Sequence, residues 1–516
     1  MKNHTLFFLL LVFSLGLAPG LAQTQDAQQT PDLQQLKLKL QQLEQSMLEL
    51  KAQISAVEQA QKTPATPIST DRPVPAGEVD VAQKSQPTLI TTDPPAPANT
   101  VEQAHKSPAT PTTAAPSAPA KAELVAGTPA QAPAETKAGE STLDVYGFAM
   151  LDSGYEFGQT DPNWFDVMRP TKLASSPNEF APNGHAYFSV RQSRFGVKSS
   201  TPTRFGDLKT IFEFELFGTG VDAGQTTFRL RHAYGELGQF GAGQTWSPFM
   251  DIDVFPNSIE YWGPNGMVFF RNVQVRWMPI QGRSRVTIAL ERPGASADQG
   301  VYQDRIELQG VKPKFAWPDL SGHARLGGDW GYVQLAAIVR SIKWVDTSAS
   351  NASKNINLSG SAVGWGVSLS SNLNFGKKDV GKFEVIYGKG VQNYMNDAPQ
   401  DIGIKNNFSN PHQPILGVPL PVLGVVAFLD HTWSSRFTSS AGYSMVNITN
   451  SDGQSPNAFH QGHYALGNLL FTPAKNVMVG GEFQYGRRVN FSDGFNVNDY
   501  RLQFSFKYNW AKSFAF

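Results

Sequence analysis

Cysteine is absent from the 516-residue chain. That excludes disulfides, thiolate chemistry and anchoring through a lipid-modified cysteine. An excess of charge is absent too, since 43 Lys and Arg balance 43 Asp and Glu. Such a chain has no general pull toward nucleic acid, and none is expected as a partner. Beyond residue 22 there is no apolar run of roughly 18 residues, so membrane-spanning helices are excluded. A transmembrane β-barrel is not excluded, because its strands alternate apolar and polar residues and average out in any hydropathy window. His431, His460 and His463 stand without a Gly-x-Ser-x-Gly nucleophile motif, which leaves a barrel hydrolase as a weak rival. No enzymatic activity, cofactor or resident metal is expected.

What is present falls into four segments. Residues 1–22 have a basic start at Lys2, an apolar stretch from Leu6 to Leu17 and small residues Gly20 and Ala22, the pattern of a cleaved secretory signal peptide. Residues 30–59 carry Leu33, Leu36, Leu40, Leu43, Met47, Leu50, Ile54 and Val57 at alternating spacings of three and four. This 3.5-residue repeat is the seam of a coiled coil, with Thr30 as cap and Pro31 in the first turn. A helix this short needs partner helices, which predicts an oligomer and leaves dimer and trimer open. Residues 60–140 are rich in Pro, Ala and Thr, cannot bury a core, and are expected to form a disordered linker.

From 141 to 516 the period changes to two. Tyr500, Leu502, Phe504, Phe506, Tyr508 and Trp510 lie on one face of the last segment, and Arg501, Gln503, Ser505, Lys507 and Asn509 on the other. A strand that is apolar outward and polar inward is what a lipid-facing barrel requires. Similar segments, separated by alternately short and long links, predict an all-β antiparallel barrel of about sixteen strands, with fourteen or eighteen open. Both barrel ends, the coiled coil and the linker then lie in the periplasm of a Gram-negative cell. The chain ends on Phe514 and Phe516, the pattern of the insertion signal read by the barrel-assembly machinery, with Ala511 where Gly is usual.

Strand parity places Arg194, Lys198, Arg229, Arg231, Arg276, Arg285, Arg325, Arg340, Arg488, Arg501 and Lys507 on the lumen face, with Glu213, Glu215 and Glu482. Arginine suits carboxylates because its fork engages both oxygens and stays charged. The set therefore predicts preference for small anionic solutes, and bracing of the wall by arginine–acid pairs is the alternative for each residue. Arg191 has the wrong parity for the lumen, which points to a rim, an interface or a register slip. Residues 248–267, with Asp251, Asp253, Glu260, Tyr261 and Trp262, are the candidate constriction loop, and an external lid is the other reading. Asp251 and Asp253 are expected to be solvated loop acids rather than a cation site.

The stretches Leu143–Phe148, Ser193–Lys198, Arg229–Gly235, Gly243–Pro248, Arg271–Arg276 and Arg325–Trp330, together with the N-terminal coiled coil, resemble the DcaP-like porins over about residues 141 to 516. The Pro/Ala-rich linker is longer than that family's pattern. The resemblance implies a homotrimer of sixteen-stranded barrels in outer-membrane lipid, a third loop folded into each pore, and passage of small anions such as dicarboxylates. A structural role is the competing function, in which the coiled coil binds the cell wall or a periplasmic partner.

Overall fold

The structure is a computed structural model that describes residues 140–516 except 304, 306 and 307. The expected signal peptide, the coiled coil and all but the last residue of the linker lie outside the described residues.

Sixteen strands close into one antiparallel barrel. They are β1 (Thr142–Glu156), β2 (His185–Ser189 with Arg194–Thr203), β3 (Gly206–Phe217), β4 (Thr226–Leu237), β5 (Phe240–Trp246), β6 (Arg271–Ile280), β7 (Arg285–Glu291), β8 (Val311–Pro313 with Asp319–Gly328), β9 (Gly331–Asp346), β10 (Gly360–Phe375), β11 (Asp379–Lys389), β12 (Pro421–Thr432), β13 (Phe437–Ile448), β14 (Phe459–Ala474), β15 (Val477–Asn490) and β16 (Asn496–Ala515). The barrel closes by pairing β1 with β16, from Thr142 opposite Ala515 to Glu156 opposite Arg501. Closure is obligatory in lipid, where an open edge would strand unpaired N–H and C=O groups. Phe514 and Phe516 face outward at this seam, and the Phe516 carbonyl accepts from the Ser141 N–H at 3.0 Å.

The alternation expected for β16 is present. Asp499, Arg501, Gln503 and Ser505 are buried in the interior, while Tyr500, Leu502, Phe504 and Phe506 are exposed. Exposed aromatics of this density would drive aggregation in water, whereas against hydrocarbon they match their surroundings.

Arg191 resolves as a register slip. It lies in the break between the two segments of β2, where the chain turns inward and the side chain becomes fully buried against Asp166 at 2.5 Å. Its parity therefore says nothing about lipid. Two links escape the periodicity: the tight turn at Thr203–Gly206, because Thr and Pro continue the alternation into it, and the short loop 218–225.

The third of the longer links, residues 247–270 between β5 and β6, does not cap the barrel from outside. It supplies Phe249, Met250, Val254, Phe255, Met267 and Val268 to an apolar core completed by Ile386, Val422, Val426, Val446 and Tyr464 of β11 to β14. Glycine at two facing positions permits this close approach. A Cβ at Gly266 would overlap the carbonyl oxygens of Met445 and Val425, and one at Gly424 would overlap the Gly266 carbonyl oxygen. The loop backbone lies directly on the wall because neither residue carries a side chain.

Candidate functional site

Link 247–270 is bonded to the wall around most of its circumference. Near its start, Arg325 of β8 holds Asp251 at 2.6 Å and Asp253 at 2.5 Å. Asp251 also accepts from Tyr332 Oη at 2.9 Å and Ser370 Oγ at 2.5 Å. Arg285 of β7 reaches Asp253 at 3.7 Å. In the middle, Lys382 of β11 donates to the Phe255 carbonyl at 2.5 Å and pairs with Asp430 at 3.2 Å. Glu482 of β15 accepts from Ser258 Oγ at 2.9 Å and the Ile259 N–H at 3.0 Å. Toward its end, the Gly266 N–H donates to Ser444 of β13 at 2.8 Å. Asp251 and Asp253 are therefore not solvated. They are buried counter-ions whose desolvation is offset by the close guanidinium of Arg325, the more distant one of Arg285 and two hydroxyls.

Facing this loop across the interior is a cationic cluster on β2, β4 and β6. Arg231 donates to Glu213 at 2.6 Å and to Glu215 at 2.5 Å. Arg194 lies 3.7 and 3.6 Å from the same two carboxylates. Arg229 and Arg271 approach Glu215 at 3.6 and 3.4 Å. The Tyr261 hydroxyl donates to Glu215, and Tyr146 donates to Glu213 at 2.7 Å. Four guanidinium groups thus meet two carboxylates, and Arg271 Nη1 is buried without a hydrogen-bond partner. Lys507 of β16 lies 4.0 Å above the Phe148 ring, and Lys198 5.0 Å above Tyr146. Arg194, Arg231 and Lys507 line one side of a cavity of about 60 Å³ whose other side is Ser258, Glu260 and Tyr261. That volume admits a few water molecules or the carboxylate end of a solute.

Glu260 and Trp262 tie the loop to the outer loops. Glu260 accepts from the backbone N–H groups of Met168, at 3.1 Å, and Gly263. Burial, together with the charge of Glu482, pushes its carboxyl up to about 8. Trp262 donates to the Asn396 carbonyl at 2.9 Å and stacks with Trp164 on Arg169, which is held by Asp397 at 2.8 Å.

The remaining predicted pore residues are wall braces by their bonding. Arg340 reaches Asp319 and Asp401, each at 2.9 Å, and the carbonyls of Gly390 and Gly294. It thereby clamps the loops that follow β7 and β11. Arg501 is fully buried on Glu156. Arg488 holds Asn490 at 2.9 Å and the Thr171 and Asn457 carbonyls at 3.1 and 3.0 Å. Arg276 donates to Gln274 and to the Trp246 carbonyl, and no carboxylate lies within salt-bridge distance of it among the described residues. The three histidines do not converge. His431 pairs with Asp379 at 2.5 Å, His460 with Asn450 at 2.9 Å, and His463 with Tyr443.

Arg340→Met is expected to cost about 3–5 kcal/mol, because two buried carboxylates lose their cation. Faster proteolysis at 292–310 and 390–420, with unchanged ion selectivity, is the expected outcome. Altered selectivity would place Arg340 in the solute path.

Arg271 and Arg169 are the functional candidates that parity misses. Arg271 is the first residue of β6, where the chain leaves the loop and strand phase does not yet apply. Arg169 lies in the first loop, which carries no period at all.

A family model described as "DcaP outer membrane protein" matches residues 126–510. Among solved structures, the outer membrane channel DcaP of Acinetobacter baumannii is 19% identical, with 73% of this chain and 99% of that chain covered and a TM-score of 0.58. The OmpT outer-membrane protein of Vibrio cholerae (11% identity, 73% and 99% covered, TM-score 0.44) and an anion-selective porin from Comamonas acidovorans (10%, 72% and 100%, TM-score 0.44) are more distant. No curated protein sequence gives a significant match.

Proposed function

The chain belongs to the DcaP outer membrane protein family, an outer-membrane channel of a Gram-negative cell, and from that premise we propose that its lumen passes small anionic solutes, with mono- and dicarboxylates as the chemical class. The observation that carries this reading is the imbalance at the cavity: Arg194, Arg229, Arg231 and Arg271 against Glu213 and Glu215. A fixed cation excess in a narrow, low-dielectric passage lowers the free energy of an anion there and raises that of a cation. Glu213 and Glu215 pair with the guanidinium groups and fix their positions, so a passing solute meets a pre-organised set rather than flexible chains. Link 247–270 narrows the passage opposite the cluster, which gives selection by size as well as by charge. Weak, multiple contacts let the solute leave as easily as it enters.

The test is the zero-current potential of the purified protein in a planar bilayer under a KCl gradient. A potential of the sign for chloride is expected, and one of the sign for potassium overturns the anion reading. A liposome-swelling series should rank dicarboxylates above neutral sugars of equal size.

Glu260 adds a pH dependence. A carboxyl raised to about 8 is neutral below that pH and negative above it, on the cavity wall facing Arg194 and Arg231. Anion preference is therefore expected to fall between pH 7 and 9, and Glu260→Gln should flatten the profile. An unchanged slope in that variant would assign the titration elsewhere.

A homotrimer is part of the same reading. Outward positions on β2 to β4 include the phenylalanines Phe188, Phe195, Phe212 and Phe228, with Phe188 and Phe228 at 73% and 78% exposure, whereas β6 to β12 present mainly Val, Leu and Ile. Aromatic residues are enriched where protein meets protein, so this phenylalanine-rich arc is the expected subunit interface.

A further inference from the structure

The outer face of the barrel carries a second charged feature that transport does not use. On β9, Val333, Leu335 and Val339 point outward, and Lys343 shares their parity near the external end of the strand. The short upper segment of β8 pairs beside it, Lys312 opposite Val345. The Lys314 N–H donates to the Lys343 carbonyl at 2.8 Å. Lys314 and Lys343 are therefore direct cross-strand neighbours, and Lys312 stands two residues away on the same face. On β11, Lys389 continues the outward series Phe383, Val385 and Tyr387. Among the described residues none of these four lysines forms an ion pair.

Like charges placed directly opposite on a sheet repel, and no ion pair among the described residues offsets that cost. Their level supplies the reason. On the same outward face Trp365 of β10 packs edge-on against Tyr387 of β11 at 5.9 Å; Trp365 is the register partner of Lys389 and lies on the membrane side of Ser361, the partner of Lys343. Aromatic girdles mark the boundary between hydrocarbon and headgroups. Lysines beside such a pair, or beyond it toward the external ends of the strands, stand at headgroup depth, where each adds attraction for an anionic lipid. They also lie on the aliphatic arc, away from the phenylalanine face of β2 to β4.

We propose that Lys312, Lys314 and Lys343, with Lys389 two strands further on, bind the phosphate groups of the phosphorylated glycolipid of the outer leaflet. Three lysines at adjoining cross-strand positions can direct their ammonium groups to one phosphomonoester of nearly two negative charges, and the Trp365–Tyr387 pair receives the adjoining acyl chains.

Native mass spectrometry of the full-length protein titrated with diphosphorylated lipid A in neutral detergent tests this. Wild type is expected to bind at least tenfold more tightly than Lys312→Gln/Lys314→Gln/Lys343→Gln, and the corresponding triple arginine variant is expected to keep binding. Lys377→Gln/Lys378→Gln, at a turn on the opposite rim, is expected to bind as wild type. Unchanged single-channel conductance in each variant reports an intact barrel. Equal binding by wild type and the glutamine variant would overturn the proposal. So would an equal loss in the Lys377/Lys378 variant, or displacement of lipid A by inorganic phosphate in moderate excess.

Discussion

Replacing both Arg194 and Arg271 by glutamine is expected to abolish the anion preference while leaving an open, folded channel. In the wild-type cluster four guanidinium groups surround two carboxylates, and removing two cations leaves the remainder balanced. The choice of residues matters. Arg231 makes the short bonds to both Glu213 and Glu215, so those buried carboxylates keep their principal partner. Arg194 and Arg271 sit farther away, at 3.6 and 3.4 Å from Glu215, and supply charge more than bonding. At an effective dielectric of about 20 to 40 and a separation of about 8 Å, each cation contributes roughly 1–2 kcal/mol to an anion in the passage. Loss of two is therefore expected to lower the chloride-to-potassium permeability ratio by roughly tenfold or more. The zero-current potential measures it directly. The internal comparison is the double variant Arg501→Gln/Glu156→Gln, which removes a lumen-parity arginine together with the carboxylate that neutralises it and should leave the ratio unchanged. Equal effects from both substitutions would mean that net lumen charge, not this cluster, sets selectivity.

The contrast between Arg194 and Arg501 also explains how far the sequence could be read. Parity alone places both in the lumen, and both are there. It says nothing about which carboxylates meet them, because those partners lie on other strands or on loops far along the chain: Glu156 is 345 residues from Arg501, and Asp401 is 61 from Arg340. The barrel, its closure and the lipid-facing side are written in a period of two that every strand repeats. The site is written in loops, where no period exists. The stretch 248–267 could be nominated from its acids and aromatics, yet its inward path depends on Gly266 meeting Gly424, a pairing visible only in three dimensions. Arg191 fails for a related reason: a chain break inside β2 resets the phase that parity assumes.

Arg325→Leu is expected to produce the largest change in conductance, because it cuts the loop's first anchor. Asp251 and Asp253 are nearly inaccessible to solvent and share this one close cation. Stranding two buried carboxylates costs about 3–5 kcal/mol, far more than a solvent-exposed pair would. The cheapest relaxation is for residues 247–255 to leave the wall and carry the acids into water. Single-channel conductance should then change at least about twofold, with added current noise, and thermal stability should fall. The triple variant Arg325→Leu/Asp251→Asn/Asp253→Asn separates the two effects. With no stranded charge, stability should largely return, since replacing a whole buried ionic set is often near neutral. The loop would still lack its anchor, so the altered conductance should persist. If conductance also returns to the wild-type value, then the bonds of Glu482 to Ser258 and Ile259 and of Ser444 to Gly266 suffice to seat the loop. The arginine would then be a device of stability alone. Gly424→Val reaches the same loop from the other side without touching a charge. A side chain there must push Gly266 off β12, and a matching change in conductance would tie the aperture to the position of the loop rather than to the acids it carries.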